Sequence, residues 1–185
     1  AVRTTIIDQP ENSGTPGAAN STAAANVGPT YEEFRHSPAV PQPQETVTVS
    51  TIAKDNDGVA TMTLWYAIAG GTWQSKPMTL GDGRWSATIP GQAASTIVQF
   101  YVEGQDSLGA TSTFPADGRD ARALYKVNDG QAATNGLHNF RMVLTAVDTA
   151  FLHNPANLMS QGRVGATVIY NESEIFYDVG VRFKG

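Results

Sequence analysis

Oxygen-bearing side chains alternate along one short segment, Asp55-Asn56-Asp57-Gly58. Carboxylate and amide oxygens at alternating positions are the ligands that Ca²⁺ prefers. A complete twelve-residue calcium loop also ends in a bidentate Glu, and residues 59–62 supply no carboxylate. Because Asx-rich turns between strands are far commoner than calcium sites, the sequence predicts a turn and no bound metal, with Asp55 and Asp57 as the only candidate ligands. We interpret the segment DGRDAR, residues 117–122, in the same way.

Two aromatic side chains, Trp65 and Tyr101, fall opposite the predicted core face of their strands. If these strands are neighbours, both rings share one outward surface, where aromatic rings stack on sugars or dock a partner domain. The alternative, which we favour, is that another segment of the chain, such as residues 137–185, covers them. Trp85 is predicted to lie in the core.

No set of side chains with catalytic spacing is found. His36, His138 and His153 lie far apart in segments that we do not expect to converge. Neither a nucleophile-His-acid arrangement nor a Gly-rich phosphate loop can be assembled. We therefore expect this chain not to be an enzyme and to need no cofactor.

Composition narrows the possible partners. Eighteen Gly, ten Pro and only 16% charged residues among 185 suit a β-rich chain with many turns. A net charge of −5 argues against nucleic acid or an anionic membrane as the partner, because both attract basic surfaces. The absence of Cys excludes disulfides and thiolate chemistry, and no apolar run approaches membrane-spanning length.

The pattern of strands and turns from residue 29 to residue 127 predicts a β-sandwich. Alternating apolar segments are separated by turns about every ten residues, as in sandwich domains. The predicted strands cover residues 30–36, 46–54, 59–69, 73–80, 84–89, 96–106 and 111–114, with residues 123–127 extending the last.

The pattern changes after residue 136. Residues 137–144 are predicted as a strand, and Thr145 with Asp148 three residues later predicts the start of a short helix. Pro155 ends that helix. Residues 163–185 are predicted as a hairpin that turns at residues 171–173. Its second strand would place these apolar residues on one face: Ile175, Tyr177, Val179, Val181 and Phe183. The fold class is thus all-β, a sandwich followed by a short helix and a hairpin.

Three families resemble parts of the chain. The strings VATMTLWYAI, DGRWSATIPG and VQFYVEGQDSLGATSTFP resemble the immunoglobulin and fibronectin-III sandwiches. The string GTPGAAN, residues 14–20, is similar to the closing segment of bacterial lamin-tail domains. The strings FRMVLT and NLMSQGRVGATVIYNESEIFYDVGVRFKG resemble the opening of the spore-coat-H (CotH) kinase-like domain.

These resemblances imply a bacterial protein that is secreted or lies on the cell surface. Residues 1–28 would be a linker or the end of a preceding domain, and residues 29–127 an immunoglobulin-like sandwich. Residues 128–136 would link it to residues 137–185, the N-terminal fragment of a CotH-like kinase domain. A full-length parent would transfer phosphate from ATP to extracellular proteins with Mg²⁺ or Mn²⁺.

The kinase resemblance assigns no catalytic residue, because that family's catalytic Asp residues and metal ligands follow its hairpin. It does name Arg182 and Lys184 as latent nucleotide contacts, since a strand Lys of a kinase fold contacts phosphates. The alternative, which we favour, is a solvated face or salt bridges to Asp178 and Glu174.

The sequence leaves three functions open. The first is a non-catalytic spacer or docking module whose partners are neighbouring domains of the same polypeptide or another protein. The second is an adhesion module that binds carbohydrate or protein through Trp65 and Tyr101. The third is a structural subunit that assembles through open strand edges.

Overall fold

The computed structural model describes residues 26–132 and 138–183. In chain order the elements are β1 (Thr30–Ser37), β2 (Val47–Lys54), β3 (Val59–Ile68), β4 (Gln74–Pro77), β5 (Thr79–Gly81), β6 (Arg84–Ile89), β7 (Ile97–Asp106), β8 (Thr111–Phe114), β9 (Ala123–Lys126), β10 (Phe140–Val143), α1 (Ala146–His153), a 3₁₀ turn (Pro155–Asn157), β11 (Val164–Tyr170) and β12 (Glu174–Val181). The predicted all-β class with one short helix is confirmed. Among the described residues, no helix has the length and apolarity needed to cross a bilayer.

Two antiparallel sheets form the sandwich. One sheet has the strand order β1-β2-β6-β5. In the other, β4 pairs with β3, β3 with β7, and both β8 and β9 pair along the far edge of β7. Alternate residues of both sheets meet in the core, as period two requires. The largest buried side chains there are Val47, Val49, Leu64, Ile89, Val98, Phe100, Val102, Tyr125 and Val127.

The segment predicted as a single strand, residues 73–80, is two strands in different sheets. β4 pairs with β3, whereas β5 pairs with β6. The chain crosses between the sheets at Met78, which is buried and whose N–H donates to the Met62 carbonyl at 2.9 Å. Pro77 precedes this crossing, and because proline has no N–H it suits the end of an edge strand.

The predicted start of the helix is confirmed. Thr145 is the N-cap of α1, and its Oγ1 accepts a hydrogen bond from the Asp148 N–H at 3.2 Å. The Thr145 hydroxyl in turn donates to the Asp148 carboxylate at 2.6 Å. The cap therefore holds Asp148 in a fixed position on the first turn of the helix.

The terminal hairpin gains a third strand, since β10 pairs with β11 and β11 with β12. Between the pairs Val168↔Phe176 and Ala166↔Val179, one residue of β11 opposes two of β12, so β12 contains a bulge. Asp178 lies within it at φ 52°. The prediction that Tyr177, Val179 and Val181 share one face is wrong, because the bulge moves the two valines to the face of Phe176.

Three polar contacts join the terminal sheet and α1 to the sandwich. Thr167 Oγ1 accepts from the Leu124 N–H of β9 at 2.8 Å. The Tyr177 hydroxyl accepts from the His36 N–H of β1 at 2.9 Å. Asp148 of α1 forms an ion pair with Arg122, which directly precedes β9. The terminal sheet is therefore fixed against one side of the sandwich.

Candidate functional sites

Trp65 and Tyr101 are brought together as expected. They face each other directly in the β3–β7 pairing. Their rings are nearly parallel, with centroids 6.2 Å apart and an interplanar angle of 9°. Trp73, which follows β3, packs edge-on against Tyr101 with centroids 5.2 Å apart. The three rings form an aromatic cluster on the outer face of this sheet.

The aromatic cluster is covered by another segment of the chain, which is the alternative that we favoured, but the cover comes from a loop of the sandwich and not from residues 137–185. Tyr101 is only 5% exposed. Gly118 lies so close that a side-chain carbon there would be 3.4 Å from the Tyr101 ring. The Arg119 guanidinium lies 5.7 Å from the Trp65 ring centroid and 5.8 Å from that of Trp73, which is cation–π distance. The loop of residues 115–120 supplies this cover.

A different apolar surface is open. Phe140, Met142 and Phe176 are 72%, 55% and 51% exposed. The pairings Phe140↔Tyr170 and Met142↔Val168↔Phe176 place them on one face of the terminal sheet, which we call the outer terminal face. Its opposite face carries buried Thr167 and Ile169 toward the sandwich. Contiguous exposed apolar side chains of this kind mark interaction surfaces.

The latent nucleotide contacts are only partly described. Arg182 is exposed just after β12, and its Nη1 donates to the Gln161 Oε1. Lys184 lies outside the described residues. Their role as nucleotide contacts stays a prediction.

A cleft of about 540 Å³ lies between the sandwich and the start of α1. Its charged lining residues, Arg122 and Asp148, are ion-paired with side-chain exposures of 3% and 1%. Arg122 Nε also donates to Gln99 Oε1 at 3.1 Å. Because these groups satisfy one another, they serve to join the two parts of the fold.

The Asp-rich turn has a third member that the sequence did not indicate. One oxygen each from Asp55, Asp57 and Asp106 lie within 4.8 Å of one another. Asp106 ends β7, 49 residues from Asp57, so no local pattern connects them. The two segments are connected through the pairing of β3 with β7, in which Val59, the first residue after the turn, lies opposite Asp106.

The comparisons with known proteins give no family. No protein-family model matches the chain, and no curated protein matches it. One solved structure, described as "Crystal structure of Br derivative BhCBM56", is 13% identical, and the match covers 56% of this chain and 96% of that one with a TM-score of 0.38. A likeness at this TM-score carries no argument about function. The resemblances to CotH and lamin-tail proteins find no support in these comparisons and stay predictions, and residues 14–20 lie outside the described residues.

Proposed function

We propose that this chain is a non-catalytic docking module in which a β-sandwich holds a three-stranded sheet in place for a neighbouring protein domain. The observation that carries the proposal is the outer terminal face, where Phe140, Met142 and Phe176 are more than half exposed on the two strands that flank β11. Apolar side chains of this size gain roughly 1.5–3 kcal/mol each on full burial, so a partner that covers them binds favourably.

The anchoring of the opposite face supports the same role. The Arg122–Asp148 ion pair and the Thr167 and Tyr177 hydrogen bonds hold the sheet on the sandwich. A surface whose orientation is already fixed loses little entropy when it binds. The sandwich therefore acts as a support.

The partner in this proposal is the remainder of a CotH-like kinase domain in the same secreted or surface polypeptide. The sequence resemblance of residues 137–185 supports this choice. ATP and Mg²⁺ or Mn²⁺ would be cofactors of that longer parent and not of this chain. Phosphoryl transfer assayed with the purified chain, ATP and either metal ion is expected to show no turnover, and clear turnover would contradict the non-catalytic role.

Methionine oxidation tests the docking surface directly. Met142 is 55% exposed on the outer terminal face, Met159 is 78% exposed outside it, and Met62 and Met78 are buried. Peroxide should oxidise Met142 and Met159 of this chain quickly and the buried pair slowly. In a longer parent polypeptide we expect Met142 to become protected while Met159 stays reactive. Equal oxidation of Met142 in both proteins would argue against docking at this face.

The alternative of a structural subunit makes a different prediction for the same surface. If copies of this chain assemble through the outer terminal face, sedimentation velocity should show concentration-dependent dimers that Phe176→Ser abolishes. Leu108→Ser is the control, because Leu108 is 68% exposed in a turn of the sandwich. The docking proposal expects a monomer whose sedimentation neither substitution changes.

A further inference from the structure

The three carboxylates of Asp55, Asp57 and Asp106 converge where the connection from β2 to β3 meets the turn after β7. Their nearest oxygens all lie within 4.8 Å of one another. Oxygens that bind one Ca²⁺ at about 2.3–2.6 Å are at most roughly 5 Å apart, so this spread suits a single ion. Three like charges at this spacing repel one another, and a cation between them removes that repulsion.

Asp106 provides an independent indication of a ligand. Its side chain is 2% exposed. Oδ1 accepts hydrogen bonds from the Leu108 and Ala110 N–H groups, both at 2.9 Å. Oδ2 is buried and has no hydrogen-bond partner among the described residues. A buried carboxylate oxygen without a partner is costly, which is why such oxygens usually bind a proton donor or a metal ion.

The Asn26 side chain lies beside the Asp106 carboxyl but forms no hydrogen bond to Oδ2. The nearest cation in the sequence, Lys54, forms its ion pair with Glu32 at 2.7 Å.

The surrounding backbone holds the cluster in place. The Asp57 N–H donates to Asp55 Oδ1 at 2.8 Å. The Ser107 N–H donates to the Gly58 carbonyl at 3.0 Å, which joins the two turns directly. The site thus lies where the link between the two sheets of the sandwich contacts the end of the central strand β7.

We propose that Asp55, Asp57 and Asp106 bind one Ca²⁺ that fastens the β2–β3 connection to the turn after β7. The ligands of these three residues are all oxygens, which suits Ca²⁺ and not Zn²⁺ or Cu²⁺, whose protein sites favour nitrogen and sulfur. The mixture of one buried and two more exposed carboxylates suits the flexible coordination of Ca²⁺ better than the strict octahedron of Mg²⁺. This site lies on the sandwich and is independent of the docking role of the terminal sheet.

Thermal unfolding with and without Ca²⁺ tests the site. The full 185-residue chain, stripped with EDTA, is heated alone, with 10 mM CaCl₂ and with 10 mM MgCl₂. For the dissociation constants of about 10⁻⁴–10⁻³ M that are common in extracellular modules, Ca²⁺ should raise the Tm by roughly 3–10 °C. Titration calorimetry should show one Ca²⁺ per chain.

Two substitutions assign the effect to the cluster. Asp57→Asn changes an exposed side chain, so the fold should persist while Ca²⁺ affinity falls about tenfold or more. Asp106→Asn retains the oxygen that accepts from Leu108 and Ala110 and should abolish the Tm shift. Asp82→Asn, at an exposed turn between β5 and β6, is the control and should leave the shift intact. The proposal would be overturned if Ca²⁺ changed neither the Tm of the wild-type chain nor the heat in calorimetry. It would also be overturned if Mg²⁺ raised the Tm equally, or if Ca²⁺ raised the Tm of Asp57→Asn as much as that of the wild-type chain.

Discussion

The Tyr177 hydroxyl lies 2.7 Å from His36 Nδ1 and also accepts the His36 backbone N–H at 2.9 Å. The other ring nitrogen, Nε2, is 3.0 Å from the Ala39 carbonyl. Because a carbonyl only accepts, Nε2 carries the proton and Nδ1 accepts from Tyr177. A neutral His36 in this tautomer satisfies every polar atom of the contact, which joins β12 to β1.

The charge state of His36 makes stability depend on pH. Burial lowers the pKa of His36 to about 4 from an ordinary value of 6.5, although the Ala39 carbonyl acts to raise it. The unfolded chain therefore binds more protons than the folded chain between pH 6.5 and 4. The contribution of this residue to the free energy of unfolding is constant above pH 6.5 and falls by about 3 kcal/mol as the pH decreases to 4.

Urea denaturation between pH 4 and 7.5 measures this effect. In His36→Gln the decrease with falling pH should be smaller than in the wild-type chain, whatever the absolute stability of the variant. His153→Gln, at an exposed histidine on α1, should retain the wild-type pH dependence. If the free energies of unfolding of His36→Gln and the wild-type chain changed in parallel with pH, the conclusion that His36 is buried in its neutral form would be refuted.

Removal of one hydroxyl should weaken the same contact. Burial raises the pKa of Tyr177, so its hydroxyl remains a proton donor. Tyr177→Phe leaves both His36 Nδ1 and the His36 N–H without this partner, and we expect a loss of about 1–3 kcal/mol in the free energy of unfolding. Tyr170→Phe is the matched control, because that hydroxyl contacts the exposed His138. Equal losses in the two variants would contradict a special role for Tyr177.

The strands and the helix start were predictable because their signals are local. Period-two alternation identified most strands, and the pair Thr145 and Asp148 identified the start of α1. The bulge at Asp178 was not predictable, because its left-handed φ of 52° gives no signal in an alternating strand. That bulge decides which side chains of β12 meet the sandwich.

The contacts that define the candidate sites were missed for a related reason. Arg119 lies over Trp65 from a loop 54 residues later in the chain, and Arg122 reaches Asp148 across 26 residues. Both arginines lie in a segment that the sequence indicated only as a turn. Such contacts depend on how the loops pack, and neither the periodicity of the strands nor the helix cap in the sequence predicts that packing.

Arg119 should control access to the aromatic cluster. Arg119→Ala removes the cation from the faces of Trp65 and Trp73, so acrylamide should quench tryptophan fluorescence more strongly while stability falls by only about 0.5–1 kcal/mol. Arg182→Ala, which removes another exposed arginine, should leave quenching unchanged. Unaltered quenching in Arg119→Ala would mean that the guanidinium does not shield the rings.

The adhesion alternative can be tested with the same cluster. Since Tyr101 is 5% exposed, it does not offer a ring face to a sugar in this conformation. Glycan-array binding by the wild-type chain is therefore not expected. Binding that Trp65→Ala abolishes and Arg119→Ala strengthens would favour the adhesion role over the docking role.

Removing only one member of the Arg122–Asp148 ion pair should lower the stability of the fold strongly. Arg122→Met leaves the buried Asp148 carboxylate without its cation, and we expect a loss of about 3–5 kcal/mol in the free energy of unfolding. Arg122→Met combined with Asp148→Leu removes both charges and should recover much of that loss. The exposed pair Lys54 and Glu32 gives the control, since Lys54→Met should cost at most about 1 kcal/mol.

The same variants test whether residues 137–183 unfold with the sandwich. If the ion pair couples the two parts, the wild-type chain should unfold in one transition by circular dichroism and by tryptophan fluorescence. The fluorescence reports on the sandwich, because all three tryptophans lie in residues 65–85. Arg122→Met should lower both midpoints together. If only the circular dichroism midpoint fell, the terminal sheet would be a separate unit, as the boundary predicted at residues 128–136 implies, and the junction would not transmit stability to the sandwich.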